Sequence, residues 1–320
     1  MIPKIEREMH MSEKNDVLAG IGNTSLIRLK YLPEKGCADV WVKWEGANPT
    51  GSMKDRMALS IIEGAEKRGE LKPGGRVVEY TGGSTGSSLS MVCAAKGYGA
   101  YMVSSDAFSE EKIRTMRAFG AEVEIVPSGT GKITRELIDA MRSRAEGLAT
   151  EANTFYADQF NNQDHKKAYY KMGEEILEQS DGACDAFVMM AGTGGCFSGV
   201  AEVLKGNSTD VKCFAGEPDA HRNISGGAMG GHRIEGVGIG FLPKIMRMDL
   251  VDEVVSVKDD DAYETARALA REEGILGGIS SGANVFAALQ LARELGPGKR
   301  VVTVIVDSGL KYFQKDLFTN

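Results

Sequence analysis

Between residues 186 and 204 the chain runs Ala186-Phe187-Val188-Met189-Met190, then Gly192-Thr193-Gly194-Gly195-Cys196, then an apolar-periodic stretch from Phe197 to Leu204. A wholly apolar five-residue run, a glycine turn and a helix make up half of a strand–helix–strand unit. The same unit recurs along most of the sequence. A turn running into a short strand is expected over 21–29, and strands at 39–45, 76–80, 100–103, 122–126, 211–215, 254–257 and 300–306. Helices are expected at 54–68, 89–96, 109–119, about 132–145, 164–178, 261–273 and 283–295, with Ser109 capping one and Ser280 or Ser281 another. Such alternation implies parallel sheets with helices on their faces, arranged as two α/β layers. Residues 217–240 are glycine-rich and aperiodic, too long for an ordinary connection, and read as a functional loop.

Composition narrows the partners. The net charge is −7 and no Lys/Arg cluster is interleaved with aromatics, so nucleic acid and anionic membrane are poor candidates. Five widely spaced cysteines without a C-x-x-C pair suggest neither a disulfide framework nor structural zinc, and point to a reducing, cytoplasmic compartment. The first 17 residues lack a signal-peptide core and read as an arm without an assigned role. The four histidines show no metal or triad spacing and are taken as surface or loop residues. No metal is expected. Gly makes up 40 of 320 residues, well above the usual share of roughly 7%, and much of that excess lies in loops after strands.

Four polar stretches stand out. Asn48-Pro49-Thr50-Gly51-Ser52-Met53-Lys54 is a turn that delivers Lys54 to the first turn of a helix, with Ser52 as a plausible cap. The helix dipole there favours a neutral amine over an ammonium, which suits Schiff-base chemistry. Thr81-Gly82-Gly83-Ser84-Thr85-Gly86 and Gly192 to Cys196 both open helices and can cradle a carboxylate or phosphate with backbone N–H groups. Asp307-Ser308 ends the last strand. For the Gly192 loop two readings stand: a mononucleotide-like phosphate, or a dinucleotide with Glu217 near the ribose. Phe197 stands where the third glycine of a dinucleotide fingerprint belongs, which favours the first.

These motifs, together with Ile21-Gly22-Asn23-Thr24, Ala157-Asp158-Gln159-Phe160, Gly236-Val237-Gly238-Ile239-Gly240-Phe241 and Gly278 to Gly282, resemble the cysteine synthase (O-acetylserine sulfhydrylase) and cystathionine β-synthase family of pyridoxal-phosphate enzymes, from about residue 17 onward. The resemblance implies fold type II: two three-layer α/β/α domains with mainly parallel sheets, like the tryptophan synthase β-subunit. Residues 50–150 would form a smaller mobile domain that clasps substrate; 18–49 and 151–320 would form a larger cofactor domain. It implies that Lys54 holds pyridoxal phosphate as an internal aldimine and moves the Cα proton. Gly192, Thr193, Gly194, Gly195 and Cys196 would hold the phosphate, Ser308 would meet the pyridine nitrogen, and Ser84 would lie beside the ring. Thr81, Gly82, Gly83, Thr85, Gln159 and Gly236 would bind the amino-acid substrate, and a homodimer is implied.

The implied reaction is β-replacement on an activated serine through an aminoacrylate, most simply O-acetylserine plus sulfide to cysteine plus acetate. A β-eliminating lyase (serine/threonine deaminase or cysteine desulfhydrase) is the alternative, with an NAD-dependent dehydrogenase more remote. Two departures bear on the choice. The family loop reads Thr-Ser-Gly-Asn-Thr-Gly, whereas here Gly82 replaces the serine and Ser84 the asparagine. Cys196 stands where a threonine hydroxyl would meet the phosphate, and a thiol is the weaker donor.

Overall fold

The computed structural model describes residues 16–129 and 131–319. The expected arm therefore lies almost wholly outside the described residues. In chain order the strands and helices are β1 (Leu26–Arg28), β2 (Asp39–Trp44), α1 (Lys54–Arg68), β3 (Arg76–Tyr80), α2 (Ser84–Lys96), β4 (Gly99–Ser105), α3 (Glu110–Ala118), β5 (Glu122–Val126), α4 (Arg135–Leu148) and β6 (Thr154–Tyr156). They continue with α5 (Gln163–Lys167), α6 (Tyr170–Gln179), β7 (Ala186–Met190), α7 (Gly195–Asn207), β8 (Lys212–Pro218), β9 (Glu253–Val257), α8 (Asp259–Ala268), α9 (Ile279–Leu295) and β10 (Arg300–Ile305).

The chain divides into two compact units. Among the described residues, one comprises Asp16–Ile21 with Lys54–Gln159, the other Gly22–Met53 with Phe160–Thr319. In the first unit the strand order is β5-β4-β3-β6 and every pairing is parallel. The chain steps one way from β3 to β4 to β5, then returns to β6 across the sheet. Right-handed crossovers therefore place α2 and α3 on one face and α4 on the other. The buried stripe Met57, Ala58, Ile61, Ile62 and Ala65 seats α1 against α2.

In the second unit the order is β1-β2-β10-β7-β8-β9, parallel except for the β1–β2 pair. The same rule puts α7 on one face and α8 with α9 on the other. The core under α9 packs Ala283, Ala287, Ala288 and Leu291 against Val40, Val42, Val188 and Ile305. β7 is buried along its whole length, as its apolar sequence requires. Strand order reverses between β10 and β7, and the carboxyl ends of β2, β10 and β7 open at one sheet edge. Open α/β sheets bind ligands at such an edge.

Some boundaries depart from the sequence pattern for identifiable reasons. Helix α2 starts at Ser84, not Leu89, because its small polar residues are satisfied internally: Ser90 Oγ donates to Gly86 O (2.7 Å) and Ser88 Oγ to Asp55 (2.6 Å). Helix α9 starts at Ile279, and Ser281 does not cap it; its Oγ accepts from Val306 N (3.0 Å) instead. Ser109 precedes α3 without a side-chain cap. The helix expected over 164–178 is broken into α5 and α6 at residues 168–169, and β6 is a three-residue strand too short for periodicity to reveal.

Candidate active site

In the second unit, the segment leading to Lys54 is held against the end of β10. Ser52 bridges Asp307, Met53 N donates to Val306 O (2.9 Å) and Ser308 N donates to Gly51 O (2.9 Å). Gly51 takes φ +71°, a conformation that favours glycine, and a Cβ there would press on Ser308 Cβ at 3.2 Å. Asn48 fixes the start of this turn by accepting from Gly22 N (2.8 Å) and donating to Glu45. The Gly22–Thr24 turn is secured in its turn by Lys43, fully buried, which donates to Thr24 O and pairs with Glu175 at 2.8 Å. Lys54 follows directly as the first residue of α1.

Ser308 Oγ accepts from Leu310 N at 3.3 Å, capping a short 3-10 turn, which leaves the hydroxyl proton to donate elsewhere. The preceding corner is held by Tyr312, whose hydroxyl donates to Asp307 (2.9 Å). On the neighbouring strand, β7 gives way to the glycine loop. Gly194 sits at φ +77° with Met246 2.7 Å from a would-be Cβ; a Cβ on Gly192 would lie 2.1 Å from Gly236 O and one on Gly195 2.5 Å from the His165 ring. The loop is thus glycine because it is packed from outside, and it ends at the N-terminus of the 13-residue α7, which no side chain caps. Backbone N–H groups and a helix dipole there suit a phosphate.

Two residues near this loop behave otherwise than the sequence suggested. His165 is not a surface residue: it is fully buried and hydrogen-bonded through Nε2 to Thr193 Oγ1 (3.2 Å). The thiol of Cys196 is buried and lies 3.9 Å from Met172 Sδ, so Cys196 contributes its backbone N–H to the loop more than its side chain. Gly236 takes φ +80° and meets the loop through its carbonyl at Gly192.

In the first unit, β3 and β6 are adjacent and parallel, so Thr81–Gly83 and Ala157–Gln159 emerge at one edge. Thr85 Oγ1 donates to Gln159 Oε1 (2.8 Å), Gln159 Nε2 to Tyr80 O (3.3 Å), and Gly83 N to Thr81 Oγ1 (3.2 Å). Ser84 opens α2 with no side-chain cap from Gly83. Gly82 is covered: a Cβ there would lie 2.0 Å from the Phe108 ring. The serine of the family pattern has no room at this position.

Beneath this loop sits Glu79, fully buried, its carboxylate accepting from Gln159 N (3.0 Å) and Tyr80 N (2.9 Å). Burial pushes its pKa up from 4.5 to about 8; the two backbone hydrogen bonds oppose this and the Asp158 charge adds to it. Folding therefore favours the protonated form. The stabilisation this gives is fully present below pH 4.5, declines as pH rises, and is gone above about 8. Across that window the change is on the order of 5 kcal/mol. Glu79→Gln should accordingly flatten the fall in unfolding free energy between pH 5 and pH 8, measured by urea titration; a slope equal to that of the wild type would refute the assignment.

A dinucleotide reading of the second loop finds no support in the side chains. Glu217 is fully buried and holds the following excursion, accepting from Ile224 N (2.7 Å), Ser225 N (3.3 Å) and Ser225 Oγ, so it is committed to the fold. Phe197 fills the third-glycine position as a buried ring stacked on Phe187.

Comparison with known proteins decides the family. The model of the family described as pyridoxal-phosphate dependent enzyme matches residues 17–307. The chain belongs to the pyridoxal-phosphate dependent enzymes. A cysteine synthase from Staphylococcus aureus is 41% identical over 301 residues, covering 93% of this chain and 95% of that one. Among solved structures, the cysteine synthase of Entamoeba histolytica superposes with a TM-score of 0.89 at 34% identity, over 100% of this chain and 94% of the other. A hydrogen sulfide-producing enzyme of Fusobacterium nucleatum gives 0.87 at 39% identity, over 95% and 99%. These likenesses extend to fold type II, as the sequence motifs implied.

The residues of this enzyme fit the cofactor. The packed glycine loop with the open α7 terminus offers a donor set for a phosphate dianion, and Ser308 offers a neutral donor for a ring nitrogen. Among the described residues, no helix is long and apolar enough to cross a membrane.

Proposed function

We infer that the enzyme carries out a β-replacement on an activated serine, most simply the conversion of O-acetylserine and sulfide to cysteine and acetate. The observation that carries this reading is the order β2-β10-β7. It brings the approach to Lys54, Ser308 and the Gly192 loop to one sheet edge from three distant parts of the chain. Lys54 supplies the amine that holds the cofactor aldehyde, and afterwards takes the substrate Cα proton. Gly192 to Gly195, with the Cys196 N–H, bind the phosphate, and Ser308 donates to the pyridine nitrogen. Thr81, Gly83, Thr85 and Gln159 bind and orient the substrate carboxylate, with Ser84 beside the ring and Gly236 holding the phosphate loop in place. Bound pyridoxal phosphate supplies the electron sink that lets the Cα–H and then the Cβ–O bond break.

A second reading, β-elimination with release of sulfide, draws support from the hydrogen sulfide-producing relative and from Ser84, a shorter side chain than the family's asparagine. One assay separates them. Holoenzyme given O-acetylserine and sulfide is expected to form cysteine and acetate in equal amounts, and given cysteine alone to release little pyruvate. Pyruvate as the main product in both cases would replace synthesis with elimination. A cytoplasmic homodimer with a mobile substrate-clasping domain over residues 50–150 completes the reading.

A further inference from the structure

The excursion after β8 holds a cluster with no role in this chemistry. His221 and His232 pack edge to face, with ring centroids 5.5 Å apart at 61°. His221 Nδ1 lies 2.7 Å from Gly230 O and His232 Nε2 lies 3.3 Å from Gly238 O. A carbonyl oxygen can only accept, so each of these nitrogens carries the proton. The opposite nitrogens, His221 Nε2 and His232 Nδ1, are then lone-pair acceptors, and both are buried without a hydrogen-bond partner among the described residues. A third such acceptor is close by. Asn223 donates its amide to Phe241 O (3.1 Å), and its Oδ1 is likewise buried and unpartnered. All three side chains gather on the turn Gly238–Phe241: His232 Nε2 is 2.6 Å from a would-be Cβ on Gly238, and His221 Nε2 is 3.9 Å from one on Gly240.

Three buried acceptors without a donor represent a desolvation cost that a ligand can offset. We propose that His221, His232 and Asn223 form a site for a divalent ion of the nickel–copper–zinc group. Imidazole nitrogen with an amide oxygen is a donor set that these metals accept and that calcium or magnesium does not favour. In both histidines the second nitrogen donates to a backbone carbonyl, the usual arrangement that fixes the tautomer of a ligating imidazole. The ring separation agrees. With metal–nitrogen bonds of about 2.0–2.1 Å, each ring centroid lies roughly 3.2 Å from the ion, so a 5.5 Å separation corresponds to an angle near ~120°. Among the described residues no group of three or more His, Cys, Asp or Glu could hold a metal, so the ion would rest on two imidazoles, one amide and solvent. Its effect would be to tie the hairpin joined by the His221–Met229 bridge to the turn that follows Gly236, the residue whose carbonyl braces Gly192.

The test uses chelator-treated holoenzyme titrated with Zn2+ and, separately, Co2+. The wild type is expected to take up one equivalent that His221→Gln and His232→Gln each weaken at least ~10-fold. The Co2+ form should show ligand-field bands of a nitrogen and oxygen site. Absence of uptake, uptake untouched by both glutamine variants, or a thiolate-to-cobalt charge-transfer band on the wild type would each overturn the proposal. The wild-type spectrum decides even if a variant fails to fold.

Discussion

Lys54→Ala is expected to lower turnover by on the order of 10⁴-fold and to remove the visible absorption of the bound cofactor. Alanine leaves no amine to hold the aldehyde or to move the Cα proton. The fold should survive, because the face that seats α1 is made by Met57, Ala58, Ile61, Ile62 and Ala65, and alanine suits a helix better than lysine does. Lys54→Arg separates charge from nucleophilicity: it keeps a cation at the same place and should be equally inactive. Stopped-flow spectra and product analysis check both variants. Visible absorption and turnover retained by Lys54→Ala would remove this lysine from the chemistry.

Gly82→Ser, which restores the family's residue, should be harmful here. The new Cβ would fall 2.0 Å from Cδ1 of Phe108, so the ring must swing away or the loop must shift. Overpacking of this kind costs about 1–3 kcal/mol, and the loop that moves is the one assigned to the substrate carboxylate. The expected result is a fall in kcat/KM for the amino-acid substrate with a smaller fall in stability. Phe108→Ala in the same chain should recover much of both losses. Residues 82 and 108 would then be strongly non-additive in a double-mutant cycle. Additive effects would mean that the ring does not set the choice of glycine.

The sequence carried the fold wherever apolar periodicity was strong. β7, α1 and β3 lie where their patterns place them, since each is defined by a buried stripe or run. It misled where polar side chains are satisfied inside the protein. The first turn of α2 looked like loop because Ser84, Thr85, Ser87 and Ser88 have no apolar period, yet most of that turn is buried. His165 looked exposed on a polar helix and is buried, because its partner is Thr193, 28 positions away. Glu79 and Lys43 gave no signal at all; alternation along a strand cannot distinguish a buried carboxylate or ammonium from a solvated one. Phe108 was equally silent, since what marks it is its distance from Gly82. Of the candidate site, the backbone-driven parts were legible as glycines, while the side chains that brace those glycines were not.

The position of β10 has a consequence for how this enzyme is made. Residues 300–305 lie between β2 (39–44) and β7 (186–190), so neither of those strands can pair with its neighbour on that side until the last part of the chain exists. Contacts of such long sequence separation are slow to form. During synthesis, β2 and β7 leave the ribosome with open edges and wait for the final segment. The same strand carries Ser308 just beyond its end and pins the turn before Lys54. A product terminated before residue 300 therefore lacks both the strand that joins β2 to β7 and Ser308.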